Sequence, residues 1–143
     1  MSRTADAFNK TVSKPTLLET ISGAMKILYI ENHPKFSSLI SRHLLSEHSV
    51  VIVPSITEAA SKISTDVYDL VLLDYDLDDG KGVELMPLLR NLSNQPKIIA
   101  VSSHEDGNNA LLAAGADAVC YKKDISKIGA VIQSLDCLEI DPF

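Results

Sequence analysis

In Leu70-Val71-Leu72-Leu73-Asp74-Tyr75-Asp76-Leu77-Asp78-Asp79-Gly80, four consecutive apolar residues give way at once to carboxylates and a glycine. An apolar run of that length, with no polar alternation, reads as a strand covered on both faces, as strands of a parallel sheet are. Asp74 then stands at the carboxyl end of a strand, where open α/β sheets place their ligands. Three other segments repeat the pattern. Ile27-Leu28-Tyr29-Ile30 ends in Glu31-Asn32, Ile98-Ile99-Ala100-Val101 ends in Ser102-Ser103, and Ala118-Val119-Cys120-Tyr121 ends in Lys122. If these strands run parallel, Glu31, Asn32, Asp74, Ser102 and Lys122 share one pocket.

The segments between them carry helix signals. Pro34 starts a helix, and Phe36, Leu39, Ile40, His43 and Leu44 come after it at helical spacing. Val50 to Val53 is a short β-branched strand. Ser55 and Glu58 form a capping box ahead of the stripe Ile56, Ala59, Ala60 and Ile63. Val83 to Asn91 reads as a short helix that holds Pro87 only near its first turn. Asn108 to Ala114 reads as a weak helix, with Gly107 and two Asn weakening its start, and Gly115 ends it. Asp124 is expected to cap a last helix whose Ile125, Ile128, Val131, Ile132 and Leu135 face inward. Five βα units in this order predict an α/β domain, a parallel sheet with helices on both faces. Residues 1–24 differ: Met1 to Lys14 is polar, and Pro15 separates it from Thr16 to Ile21, which has room for a helical turn or two. They are expected to form a flexible leader, with residues 25–143 forming the domain and no output domain after it.

Composition narrows the function. A chain of 143 residues with 45% hydrophobic and 22% charged residues is an ordinary globular domain with a real core. The formal net charge of −6 argues against a nucleic-acid surface, which normally shows a basic stripe. No apolar run reaches the length of a membrane span, and no secretory signal opens the chain. Cys120 and Cys137 lie in apolar segments without metal-ligand spacing and read as small core residues of a cytoplasmic protein.

The pocket residues suit an aspartyl-phosphate site. A carboxylate is ionised at neutral pH and can attack phosphorus without a general base. Its approach to an anionic phosphoryl group requires neutralising cations, which a magnesium ion and a lysine supply. Glu31, Asn32 and Asp74 offer oxygens to the metal, Ser102 a hydroxyl, and Lys122 an ammonium. His33 and His104 flank the mouth and read as surface histidines.

This arrangement resembles the receiver domain of bacterial two-component response regulators, of the chemotaxis type. The resemblance covers nearly all of Met25 to Leu138. It rests on the loop from Asp74 to Leu85, the strand Ile98 to Ser103, and Gly115-Ala116-Asp117-Ala118-Val119-Cys120-Tyr121-Lys122. It implies a flavodoxin-like, doubly wound five-stranded sheet in order 2-1-3-4-5. It implies Asp74 as phosphoacceptor, Ser102 as the hydroxyl that senses the phosphoryl group, and Lys122 as its cationic partner. Glu31, Asn32 and Asp74 would hold Mg2+, with Asp76 contributing its backbone carbonyl. The implied partners are a sensor histidine kinase or phosphotransfer protein and a downstream protein, with neither nucleic acid nor membrane. The chain is then a stand-alone signalling receiver, not an enzyme.

The chain departs from the family pattern at five places, one being Asp78 in the loop where the family often has Pro. The second member of the family's acidic pair is Asn32, so one negative charge among the metal's ligands is lost and weaker metal binding is expected. No Pro comes after Lys122, so a cis peptide is not expected there. The aromatic switch position on the fifth strand is Val119, with Tyr121 two residues on. The segment from Ser102 to Gly115 is shorter than usual, which predicts an altered fourth helix. These departures open a second reading, an interaction module independent of phosphorylation. A third, a haloacid-dehalogenase-type phosphatase, shares the Asp-x-Asp, Ser and Lys set but orders its acids differently along the chain.

Overall fold

The computed structural model describes residues 24–139, with side chains through Leu135. The expected leader, residues 1–24, lies outside the described residues except for Ala24. Strands β1 (Lys26–Ile30), β2 (Ser49–Val53), β3 (Leu70–Leu73), β4 (Lys97–Ala100) and β5 (Ala118–Val119) form one sheet. All its neighbouring pairs are parallel and the order is 2-1-3-4-5, as the sequence resemblance implies. A small antiparallel ribbon, Asp76–Leu77 with Gly80–Lys81, comes after β3 and lies outside this sheet.

Helices cover both faces because the strands have two apolar sides. Ile27 and Tyr29 pack with Ile40, Ile128, Ile132 and Leu135, beneath α1 (Pro34–Leu44) and α5 (Ile128–Glu139). Leu28 and Ile30 pack with Ala59, Ile63, Met86, Leu89 and Leu111, from α2 (Ile56–Thr65), α3 (Met86–Arg90) and α4 (Glu105–Ala113). Leu70 to Leu73 are each fully buried, which is why no polar residue interrupts that run. No helix among the described residues is long and apolar enough to cross a membrane.

Several local expectations are corrected. On α1, Ile40 is buried but Leu39 is about half exposed and His43 faces solvent; the buried stripe is narrower than the apolar spacing suggested. The expected helix from Val83 splits into a 3-10 segment, Gly82–Leu85, and the short α3, with Pro87 in the first turn of α3 where its missing N–H is harmless. Helix α4 starts earlier than expected, at Glu105, because Gly107 and Asn108 are held by tertiary contacts that outweigh their low helix propensity. Strand β5 is shorter than expected, although the Cys120 N–H still donates to the Ala100 carbonyl at 2.8 Å. Asp124 does not cap α5: it lies within a 3-10 segment, Lys122–Lys127, and its N–H closes a turn onto the Tyr121 carbonyl. All described peptide bonds are trans.

Candidate functional site

The sheet's hydrogen bonding continues one step past its strands and delivers the pocket residues together. The Glu31 N–H donates to the Val53 carbonyl at 2.9 Å and the Asp74 N–H to the Ile30 carbonyl at 3.0 Å. Next along the same edge, the Val101 N–H donates to the Leu73 carbonyl at 2.9 Å and the Lys122 N–H to the Ser102 carbonyl at 3.2 Å. The residues just beyond β1, β3, β4 and β5 (Glu31, Asp74, Ser102 and, three positions on, Lys122) therefore emerge at one end of the sheet, although Glu31 and Lys122 are 91 positions apart.

Lys122 is the centre of the side-chain arrangement. Its Nζ donates to Asp74 Oδ2 at 3.0 Å and to Glu31 Oε2 at 3.1 Å. Glu31 Oε1 lies 2.9 Å from the same ammonium but lacks hydrogen-bond geometry, so that contact is coulombic. Asp74 Oδ1 accepts the Tyr75 N–H at 2.7 Å. Phe36 lies beneath the ammonium, with 5.4 Å from Nζ to the ring centre. Both carboxylates are buried.

Two buried carboxylates share one cation, and this sets the electrostatics of the pocket. Burial, then the charge of Glu31, pushes the Asp74 carboxyl up to about 6, against the pull of Lys122 and the Tyr75 N–H. For Lys122 burial acts downward, but the bonds and charges of Glu31 and Asp74 outweigh it and raise its pKa. The two shifts assign the cost differently: Asp74 is held at a net penalty while Lys122 is stabilised as a cation. At neutral pH Asp74 is still mostly ionised.

The rest of the rim is tightly packed. Ser102 is buried, and its Oγ accepts the His104 N–H at 3.2 Å. Asn108 Nδ2 donates to the Ser102 carbonyl at 3.2 Å, tying α4 to the end of β4. A Cβ on Gly107 would come within 2.8 Å of Tyr75 and 3.1 Å of Ser102 Oγ, so only glycine lets α4 approach the pocket this closely. A Cβ on Gly82 would lie 2.0 Å from the Asp74 carbonyl oxygen, so the loop crosses the strand end only because that residue has none.

Not every expected residue joins the cluster by its side chain. The Asp76 carboxylate is bound by Lys81 within the ribbon. Asp79 caps α2 across the loop. Its Oδ1 accepts the Ile56 N–H at 2.6 Å, and Oδ2 accepts the Thr57 N–H at 3.0 Å and hydroxyl at 2.7 Å. Ser55 Oγ supplies the local cap, accepting the Glu58 N–H at 3.1 Å. His33, read as a surface residue, has an exposed ring, yet its Nδ1 lies 2.8 Å from Glu31 Oε2. Glu31, His33 and Asp74 each offer a ligand atom within 4.8 Å of the others. Asn32 Oδ1 is buried with no hydrogen-bond partner among the described residues. This donor set, rich in carboxyl and amide oxygen, fits a divalent cation.

Comparison with known proteins bears on the whole arrangement. The family described as "Response regulator receiver domain" matches residues 27–133. The chain belongs to this family. The sensory transduction protein LytR of Staphylococcus haemolyticus is 31% identical to this receiver over 101 residues, which is 68% of this chain and 38% of LytR. The DNA-binding transcriptional activator EvgA of Escherichia coli K12 is 28% identical over 116 residues, 77% of this chain and 56% of EvgA. The receiver thus spans between about a third and somewhat over half the length of these relatives. Among solved structures, a CheY-like receiver domain from Methylobacillus flagellatus has a TM-score of 0.69 at 25% identity, covering 79% of this chain and 99% of that one. The receiver domain of sensor histidine kinase PA1611 from Pseudomonas aeruginosa, with a magnesium ion in its active-site cleft, shares the fold at TM-score 0.71 and 21% identity. It covers 80% of this chain and 99% of its own.

Proposed function

We propose that this receiver accepts a phosphoryl group on Asp74 from a phosphohistidine of a sensor histidine kinase or phosphotransfer protein. The observation that carries the reading is the Lys122 ammonium held 3.0 Å from Asp74 Oδ2 and 2.9 Å from Glu31 at the carboxyl end of a parallel sheet. An Asp74 oxygen forms the new O–P bond. The P–N bond to imidazole breaks, and its electron pair returns to the ring nitrogen. Lys122 then pairs with a phosphoryl oxygen, and the Ser102 hydroxyl, released from the His104 N–H, donates to another. Magnesium, held by Glu31, Asn32, Asp74 and the Asp76 backbone carbonyl, would neutralise charge on the phosphoryl oxygens. Ser102 is joined to α4 through Asn108 and to the end of β5 through Lys122 N–H, so its movement repacks the α4–β5 face that a downstream protein reads. We infer a cytoplasmic signalling unit, not a multiple-turnover enzyme. Its formal net charge of −6 supports a protein partner over nucleic acid.

The neutral Asn32 favours a second reading, an interaction module that needs no phosphoryl group. Intact mass after incubation with magnesium and a small acyl-phosphate donor separates the two. One added phosphoryl group, absent in Asp74→Asn and without magnesium, is expected. No adduct at any magnesium concentration overturns the phosphoacceptor reading, and multiple turnover of a phosphomonoester would instead support a phosphatase.

A further inference from the structure

We propose that His33 is a direct ligand to the dication in this pocket and that its nitrogen tilts the site toward first-row transition ions over Mg2+. The inference rests on the reading of Glu31 and Asp74 as metal ligands and goes beyond it by adding a nitrogen donor.

His33 is placed for this by local backbone geometry. It is the residue before α1, with extended φ and ψ of −112° and 90°, a position where side chains commonly cap the helix. Here the ring makes no cap. It turns back two residues instead, and both its Nδ1 at 2.8 Å and its backbone N–H at 3.1 Å address Glu31 Oε2. Pro34 just after it disfavours a helical backbone at His33, in keeping with the extended conformation there.

The spacing suits shared coordination. Two donors about 2.1 Å from one ion and at right angles are about 3.0 Å apart, and opposite donors about 4.2 Å. The 2.8 Å separation of Nδ1 and Oε2 approaches the first value, and the full Glu31, His33 and Asp74 set, within 4.8 Å, has to close by no more than about 0.6 Å to meet the second. A second observation also points to a cation: the buried Asn32 Oδ1, on the residue between Glu31 and His33, has no hydrogen-bond partner among the described residues.

The choice of ion comes from donor chemistry. Asn32 contributes no charge, which weakens hard, purely electrostatic binding of Mg2+. An imidazole adds no charge either, but it gives transition ions a stronger bond than oxygen does, increasingly from Mn2+ to Co2+.

The test is calorimetric titration of the full chain with Mg2+, Mn2+ and Co2+, together with pulsed electron-spin-echo spectroscopy of the Mn2+ complex. The wild type is expected to show a directly bound 14N coupling. His33→Ala is expected to lose that coupling and to weaken Mn2+ and Co2+ by about tenfold or more while changing Mg2+ far less. His104→Ala, at the same rim, keeps the coupling. Mn2+ binding that Asp74→Asn abolishes but that shows no 14N coupling, with affinities unchanged in His33→Ala, overturns the His33 proposal and leaves the carboxylate site standing. Absence of any dication binding at millimolar concentration overturns both.

Discussion

Replacing the buried Asp74 carboxylate with an amide should make the protein more stable, and by an amount that depends on pH. The native Asp74 carboxyl is raised from 3.8 to about 6 by burial and by Glu31. An acid with a raised native pKa binds protons more tightly when folded, so stability falls as pH rises from the unfolded to the folded value. Below 3.8 both states are protonated and the penalty is absent; above about 6 it is fully present and flat. The difference of roughly two pKa units corresponds to about 3 kcal/mol at about 1.4 kcal/mol per unit. The pocket mouth is open at His33, whose side chain is 66% exposed, so screening by water reduces the effect. We expect about 1–3 kcal/mol. The Asp74→Asn variant leaves Lys122 its Glu31 partner at 2.9 Å, so no ammonium is stranded. Urea unfolding of wild type and Asp74→Asn in EDTA, from pH 3.5 to 8, reads the penalty directly. The advantage of the variant should grow between pH 4 and 6 and then level off at about 1–3 kcal/mol. An advantage that does not vary with pH, or one that is largest in acid, refutes the reasoning.

Lys122→Met removes the cation that two buried carboxylates share, so the Asp74 titration midpoint should rise above about 6 by about one unit or more, measured by carboxyl-carbon NMR in the two proteins. An unchanged midpoint would mean Lys122 does not act on Asp74. Gly82→Ala drives a methyl into the Asp74 carbonyl and should destabilise by about 3 kcal/mol or more, whereas Gly129→Ala, with open space around it in α5, should stabilise by about 0.5–1 kcal/mol; equal urea midpoints would contradict the contact. Asp79→Ala removes three hydrogen bonds from the start of α2 and should lower the thermal midpoint at neutral pH. Its bonds to Ile56 and Thr57 hold the Asp79 carboxyl below its ordinary value of 3.8, so its contribution is present above that value and disappears as pH falls through the lower, folded one. A wild-type-to-variant gap that persists in strong acid would exclude the charge as its cause.

The strands were legible because burial on both faces leaves no room for polar residues. Leu70 to Leu73 and Ile98 to Val101 could be read as central strands from composition alone, and the residues just beyond them had to emerge at one edge once the strands were parallel. The capping by Ser55 and the start at Pro34 were legible for the same kind of reason, since each acts within one helical turn. The start of α4 was not, because Gly107 and Asn108 carry poor helix propensity and only their packing explains their place; a first-turn position for Pro87 was legible, but not the 3-10 segment ahead of it.

Residue order along the chain thus settles the sheet, its strand ends, and which side chains can reach the pocket. It does not settle how those side chains pair with one another. That Lys122 bridges Asp74 and Glu31, that His33 turns back onto Glu31 instead of capping its helix, and that Asp79 caps α2 are contacts between groups whose partners depend on distance in space. Lys122 meets partners 48 and 91 positions away and Asp79 meets one 23 positions away. Local propensity acts over a few residues, whereas coulombic and hydrogen-bond energies in a buried pocket depend on the final separations of charged atoms. Those separations exist only after the chain has closed around them.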